Sequence, residues 1–208
     1  MGKLRYCSGV ILAGGLNTRF SGKSKALLKV GDKPILDWIY AVYRQLFDQI
    51  ILVTNTPHLY MDWDLTIVTD IYAHRSSLTG IHTGLFYSAH PQAFFTACDT
   101  PFINPELIRA LVERVDAHSD TIFPSTRDGL EPLFAVYAAK SLPRIEARLQ
   151  KKHFKIQRVF RKDRIKTIPE KTLRGIDPGL HSFFNINTPE DLQRAQIMLK
   201  EIGGPPSE

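Results

Sequence analysis

The chain has 208 residues, 43% of them hydrophobic and 23% charged, and a net charge of +6. That composition is ordinary for a soluble globular protein, and the length suits one α/β domain or two small ones. It excludes a transmembrane helix, because no apolar run approaches the ~20 residues a span needs.

Met1–Tyr6 is basic but has no apolar segment ahead of a cleavage site, so no signal peptide and a cytoplasmic location are expected. Gly9–Ala13 reads as a strand buried on both faces. Gly14 and Gly15 stop it, and a loop carrying Arg19, Gly22, Lys23 and Lys25 follows. Glycines let backbone N–H groups approach an anion and basic side chains neutralise it, so this stretch suggests a phosphate cradle. Residues 29–33 turn, Pro34 suits a first helical position, and apolar residues from Ile35 to Phe47 recur at helical spacing. Strands are expected over 49–55, 65–70 and 93–99, with a short helix or turn from Thr56-Pro57 and a helix from Leu78 to about 89.

Asn104-Pro105-Glu106 opens a helix reaching Val115. Residues 121–124 and 133–137 are strand-like around the turn signal Asp128-Gly129. Pro143–Leu149 is helical, Phe183–Asn187 reads as a last strand, and Thr188-Pro189-Glu190-Asp191 caps a last helix. Residues 203–208 look like a frayed, disordered tail, and no linker divides 1–202.

Alternating strands and helices in the first half predict a mostly parallel sheet, in a three-layer αβα, Rossmann-like arrangement with a mixed second half. Ligands of such sheets bind outside the carboxyl ends of the strands. Those ends are Gly14-Gly15, Asn55, Asp70, Asp99 and, near the C-terminus, Asn185 and Asn187. One polar strand end means little. Several of them beside a basic glycine loop argue a nucleotide site.

Asp99 follows the apolar run Phe94–Cys98, and the helix cap downstream is already supplied by Asn104. A strand-end carboxylate facing a triphosphate is a natural Mg2+ ligand, since that ion takes one or two carboxylates plus phosphate oxygens and water. Gly22-Lys23-Ser24 imitates the end of a P-loop, but Asn17 stands where its first glycine belongs. A phosphotransferase or ATPase of that type stays as an alternative.

Leu12-Ala13-Gly14-Gly15, Arg19, Gly22 and Lys25–Leu28 resemble the signature of nucleoside-diphosphate-sugar-pyrophosphorylase-like nucleotidyltransferases. Ala97–Leu107 and Phe184–Leu192 narrow this: with the first motif, they resemble the molybdenum cofactor guanylyltransferase family, over residues 8 to 199. The resemblance implies the nucleotide-diphospho-sugar transferase fold and a Mg2+-dependent transfer of GMP from GTP to the phosphate of molybdopterin, releasing pyrophosphate. It implies that Leu12, Ala13, Gly14 and Gly15 contact the nucleotide through backbone groups and that Lys25 holds the triphosphate with Arg19. Asn55 and Asp70 would contact the nucleoside, Asp99 would bind Mg2+, and Asn185 and Asn187 would face the acceptor.

The chain departs from the family at Ser24, at Ser76-Ser77 in place of Gly-Pro, and at Glu131 in place of Gln before Pro132-Leu133. The base is therefore open between GTP and CTP, and a sugar-phosphate acceptor is a further alternative.

Residues 148–166 hold nine Lys or Arg against one acid, Asp163. This segment is either a solvated helix face with Ile156, Val159 and Phe160 packed inward, or an attractor for the anionic pterin or a protein carrying it. A nucleic-acid-binding module is the reading from another class, but retained Lys25 and Asp99 speak against it. The two cysteines, Cys7 and Cys98, and the seven histidines form no metal-ligand spacing.

Overall fold

The computed structural model describes residues 2–14, 20 and 24–202. Gly15, Arg19, Gly22, Lys23 and the tail 203–208 lie outside the described residues. The elements are β1 (Cys7–Leu12), β2 (Lys29–Val30), β3 (Lys33–Pro34), α1 (Ile35–Leu46), β4 (Ile50–Val53), β5 (Thr66–Val68), α2 (Ser77–Phe86) and β6 (Gln92–Ala97). Then come α3 (Pro105–Val112), β7 (Thr121–Thr126), β8 (Gly129–Leu130), β9 (Phe134–Ala138), α4 (Leu142–Gln150), β10 (Ile165–Pro169), α5 (Glu170–Arg174) and α6 (Pro189–Ile202).

The main sheet runs β10-β7-β9-β6-β1-β4-β5, with β8 paired to β7. β6, β1, β4 and β5 are mutually parallel, and so are β10 and β7. β9 lies antiparallel between β6 and β7, which makes the second half mixed. Each central strand is apolar on both faces because each face is covered. Ile11, Leu52, Phe94, Ile122 and Val136 join one core with α1, α3, α5 and α6. Val10, Ile51, Phe95, Phe123 and Tyr137 join the other with α2 and α4. The alternation is the period of two expected of a strand, and the result is the αβα three-layer fold.

Three sequence expectations are corrected. Pro34 pairs in β3 and precedes α1, so it is not the first helical residue. Residues 184–187 form no strand. Ile186 is fully buried and its N–H donates to Asp99 O (2.9 Å), but no ladder continues from that bond. The segment 148–166 is not a helix face either: α4 ends at Gln150, and two 3-10 turns, Ile156–Arg158 and Lys162–Arg164, lead into β10. Ile156, Val159 and Phe160 do pack inward.

The two-residue strands β2 and β3 turn at Gly31, whose φ is +67. A side chain there would be strained and would also meet Leu199 of α6 at 2.7 Å. α6 itself starts with a reciprocal cap: Asp191 accepts from Thr188 N (3.0 Å), and Thr188 Oγ1 accepts from Asp191 N (3.2 Å).

Candidate functional site

The backbone carries the strand ends into one place. Cys98 N donates to Leu12 O (3.0 Å), Ala13 N to Val53 O (2.8 Å), and Thr54 N to Val68 O (2.9 Å). These bonds extend the parallel ladder one step past each strand. They fix where Gly14, Asn55, Asp70 and Asp99 emerge, at the carboxyl edge where open α/β sheets hold ligands. A cleft of about 340 Å³ opens there, lined by Leu12, Ala13, Gly14, Lys25, Asp70 and Asp99 among others. Its size is within the range of small-molecule sites.

The floor is an ion pair. Lys25 Nζ donates to Asp99 Oδ2 (2.9 Å) and to Asn187 Oδ1 (2.7 Å). Ser24 is buried and bonds Tyr60 through its hydroxyl, which anchors the chain just before Lys25. Asp99 Oδ1 is buried, and among the described residues nothing donates to it. A buried carboxylate oxygen is rarely left without a partner, so it marks a place for a donor or a cation. Among the described residues no group of three His, Cys, Asp or Glu side chains could hold a metal by itself.

On the other wall, Asn55 Nδ2 donates to Asp70 Oδ2 (2.8 Å). Asn55 does not itself line the cleft; it aims Asp70. Burial raises the Asp70 carboxyl above its usual range, against the opposite pull of the Asn55 hydrogen bond and the Arg75 charge. Cys98, beside Asp99, is pushed up to about 12, first by burial and then by the Asp99 charge.

The structure thus brings together Leu12, Ala13, Gly14, Lys25, Asp70, Asp99 and Asn187. It parts Asn185 from Asn187. Asn185 Nδ2 donates to Phe183 O (3.0 Å), and the side chain lines a neighbouring cleft instead. Without a strand over 184–187, the spacing of two residues does not place both amides on one ligand. Gly15 and Arg19 lie outside the described residues.

The sequence reading missed Arg75, an exposed loop residue at the cleft, and flagged Ser76-Ser77 as a departure bearing on the substrate without placing them in the cleft. Ser76 caps that helix by accepting from Thr79 N (3.1 Å), and Ser77 and Gly80 line the cleft. The available signal was the serine pair immediately before the apolar run from Leu78.

Residues 9–167 match the family described as the MobA-like NTP transferase domain. A molybdenum cofactor guanylyltransferase from Desulfosudis oleivorans is 39% identical, over 93% of this chain and 96% of that protein. Another, from Syntrophotalea carbinolica, is 31% identical over 92% of this chain and 91% of that protein. The crystal structure of molybdopterin-guanine dinucleotide biosynthesis protein A from Archaeoglobus fulgidus superposes with a TM-score of 0.82. It is 28% identical, with 93% of this chain and 99% of that chain covered.

Proposed function

The chain belongs to the MobA-like NTP transferase family, a nucleotidyltransferase family, and from that premise we propose that it transfers GMP from GTP to the phosphate of molybdopterin. The observation that carries the reading is the floor of the cleft. One cation, Lys25, sits 2.9 Å from a carboxylate whose other oxygen is buried and has no partner among the described residues, at the carboxyl edge of a parallel sheet.

An oxygen of the acceptor phosphate attacks the α-phosphorus, the bond from that phosphorus to the bridging oxygen breaks, and pyrophosphate leaves with the electron pair. The attacking monoester is largely dianionic at neutral pH, because its second pKa is about 6. No side chain then has to remove a proton. The barrier is the repulsion between two anionic substrates, so the task of the protein is positioning and charge neutralisation.

Lys25 serves that task from the floor, and Arg19 from the glycine loop. The backbone groups of Leu12, Ala13, Gly14 and Gly15 that the sheet ladder leaves free are assigned to the nucleotide, the Ala13 N–H itself being held by Val53 O, and Asp70, held by Asn55, to the nucleoside. Asn187 steadies Lys25 on the acceptor side, with Asn185 beyond it. Asp99 is the residue that would hold Mg2+, through the Oδ1 that nothing among the described residues reaches, and the ion would supply charge neutralisation at the phosphates. A single protein carboxylate suits Mg2+, which usually keeps phosphate oxygens and waters in its shell. The location proposed is cytoplasmic; no helix among the described residues is long and apolar enough to cross a membrane.

Calorimetric titration with GTP, CTP, ATP and UTP in the presence of Mg2+ tests the base, followed by assay of GMP transfer to molybdopterin. Selective binding of GTP is expected. Selective binding of CTP moves the reading to a cytidylyltransferase, and nucleotide turnover on a sugar phosphate alone overturns the acceptor.

A further inference from the structure

A second cleft opens beside the first, and the two share Leu133. Its volume is about 170 Å³, below the ~300 Å³ at which sites for whole drug-sized ligands begin, so it fits one heterocycle rather than a second nucleotide. Thr100, the residue after Asp99, stands in its wall with Phe183, Asn185 and Glu131. Most polar groups here are committed inward. Thr100 Oγ1 donates to Ala97 O (2.9 Å), Ser182 Oγ accepts from Asn104 N (2.9 Å), and the Asn185 amide serves Phe183 O.

Glu131 differs. Its Oε1 takes a hydrogen bond from Thr126 Oγ1 (3.0 Å), and among the described residues Oε2 takes none. The charge felt most at this carboxylate is that of Asp128, which has the same sign. A half-buried carboxylate with no cation beside it among the described residues is costly until N–H or O–H donors reach it. It would repel the acceptor phosphate, so this end of the cleft suits the opposite end of the same molecule.

We infer that Glu131 reads the ring of the acceptor, taking the paired N–H donors of a 2-amino-4-oxo pyrimidine edge while the acceptor phosphate lies toward Asp99. The inference rests on the pterin reading of the acceptor given above. A ring N–H and the amino group beside it present two parallel donors, which match the two oxygens of a carboxylate. Phe183, held edge-to-face against Phe134 at 5.1 Å, offers a fixed apolar wall to a flat ring. Thr126 fixes the carboxylate through Oε1 (3.0 Å).

Pterin and lumazine test this, because lumazine carries a carbonyl in place of the 2-amino group. Binding of each is followed by ring fluorescence on the wild type and on Glu131→Ala, alongside GTP binding. The wild type should prefer pterin by about tenfold, the worth of one charge-assisted hydrogen bond. Glu131→Ala should lose that preference and keep its affinity for GTP. Equal binding or no binding of the two rings by the wild type overturns the inference, and that comparison needs no variant. A preference retained by Glu131→Ala overturns it as well. The acceptor reading fails separately: a wild type that prefers pterin but transfers no GMP to molybdopterin overturns that reading alone.

Discussion

Lys25 bridges two acceptors contributed by distant parts of the chain, Asp99 after β6 and Asn187 before α6. Under the proposed function its charge would stand where the phosphates of one substrate meet the phosphate of the other. Lys25→Met should lower kcat by about 10²–10³-fold, the loss seen when one donor to developing charge is removed. Pyrophosphate release checks this, and a thermal melt near that of the wild type shows the loss to be chemical. Asp99→Ala should abolish Mg2+-dependent pyrophosphate release; an unchanged rate would sink the mechanism. Cys98 is a bystander in the same cleft. Burial first, and the Asp99 charge second, push its thiol up to about 12, so it stays protonated and weakly nucleophilic at neutral pH. Iodoacetamide at pH 8 should leave transfer activity intact, and rapid inactivation would contradict this environment.

Among the elements, α2 is the one whose packing sets the cleft wall. It lies on the sheet through its glycines. A Cβ at Gly84 would come within 2.6 Å of Val10 Cγ1 and 2.7 Å of Phe95 Cε1. Both neighbours are buried strand side chains, so Gly84→Ala should cost about 1–3 kcal/mol by overpacking, measured by urea unfolding. The long elements were legible in the sequence for two reasons: strands covered on both faces stand out as continuous apolar runs, and α1 and α3 as apolar residues recurring near every fourth position. The hairpin β2–β3 and the helix α5 were not, since two and five residues are too few to show one. The alternation of Phe183–Asn187 misled for a different reason. Only Ile186 is buried between the two exposed asparagines, and it is tied by one backbone bond to Asp99 rather than by a sheet. Asp99 was legible as a carboxylate at a strand end, and Lys25 as a cation of the loop that follows β1. Arg75 and the cleft at Glu131 depend on which loops meet, which no local pattern encodes.

At the scale of the whole molecule, the basic segment divides between the two ends of the sheet. At the end away from the cleft, Asp120, just before β7, gathers Arg144 (2.6 Å), Arg164 (2.9 Å) and Lys140 (3.6 Å), and Lys166 meets Asp116 at 3.2 Å. These cations are structural. Nearer the cleft, Phe154 packs its ring on His74 at 5.5 Å, which sets the exposed Lys151, Lys152 and Lys155 beside the loop that leads to Arg75. Lys151, Lys152 and Lys155 make no ion pair among the described residues and are free to attract an anion. Burial alone would raise the Asp120 carboxyl, but hydrogen bonds and charge from Arg164 and Arg144 outweigh it and hold the group below its usual 3.8. A carboxyl depressed on folding stabilises the fold above its unfolded pKa and loses that contribution as pH falls through the folded value. Asp120→Asn should therefore lower stability by about 1–3 kcal/mol at pH 7, less than a fully buried pair because the cations are part-exposed. The gap from the wild type should narrow as pH falls below the usual carboxylate value and through the depressed folded one, where Asp120 takes up its proton. Urea unfolding across pH 3–8 reads this directly. A gap independent of pH would assign Asp120 a role in packing rather than charge, and a fall in kcat at pH 7 would contradict the separation of the two ends.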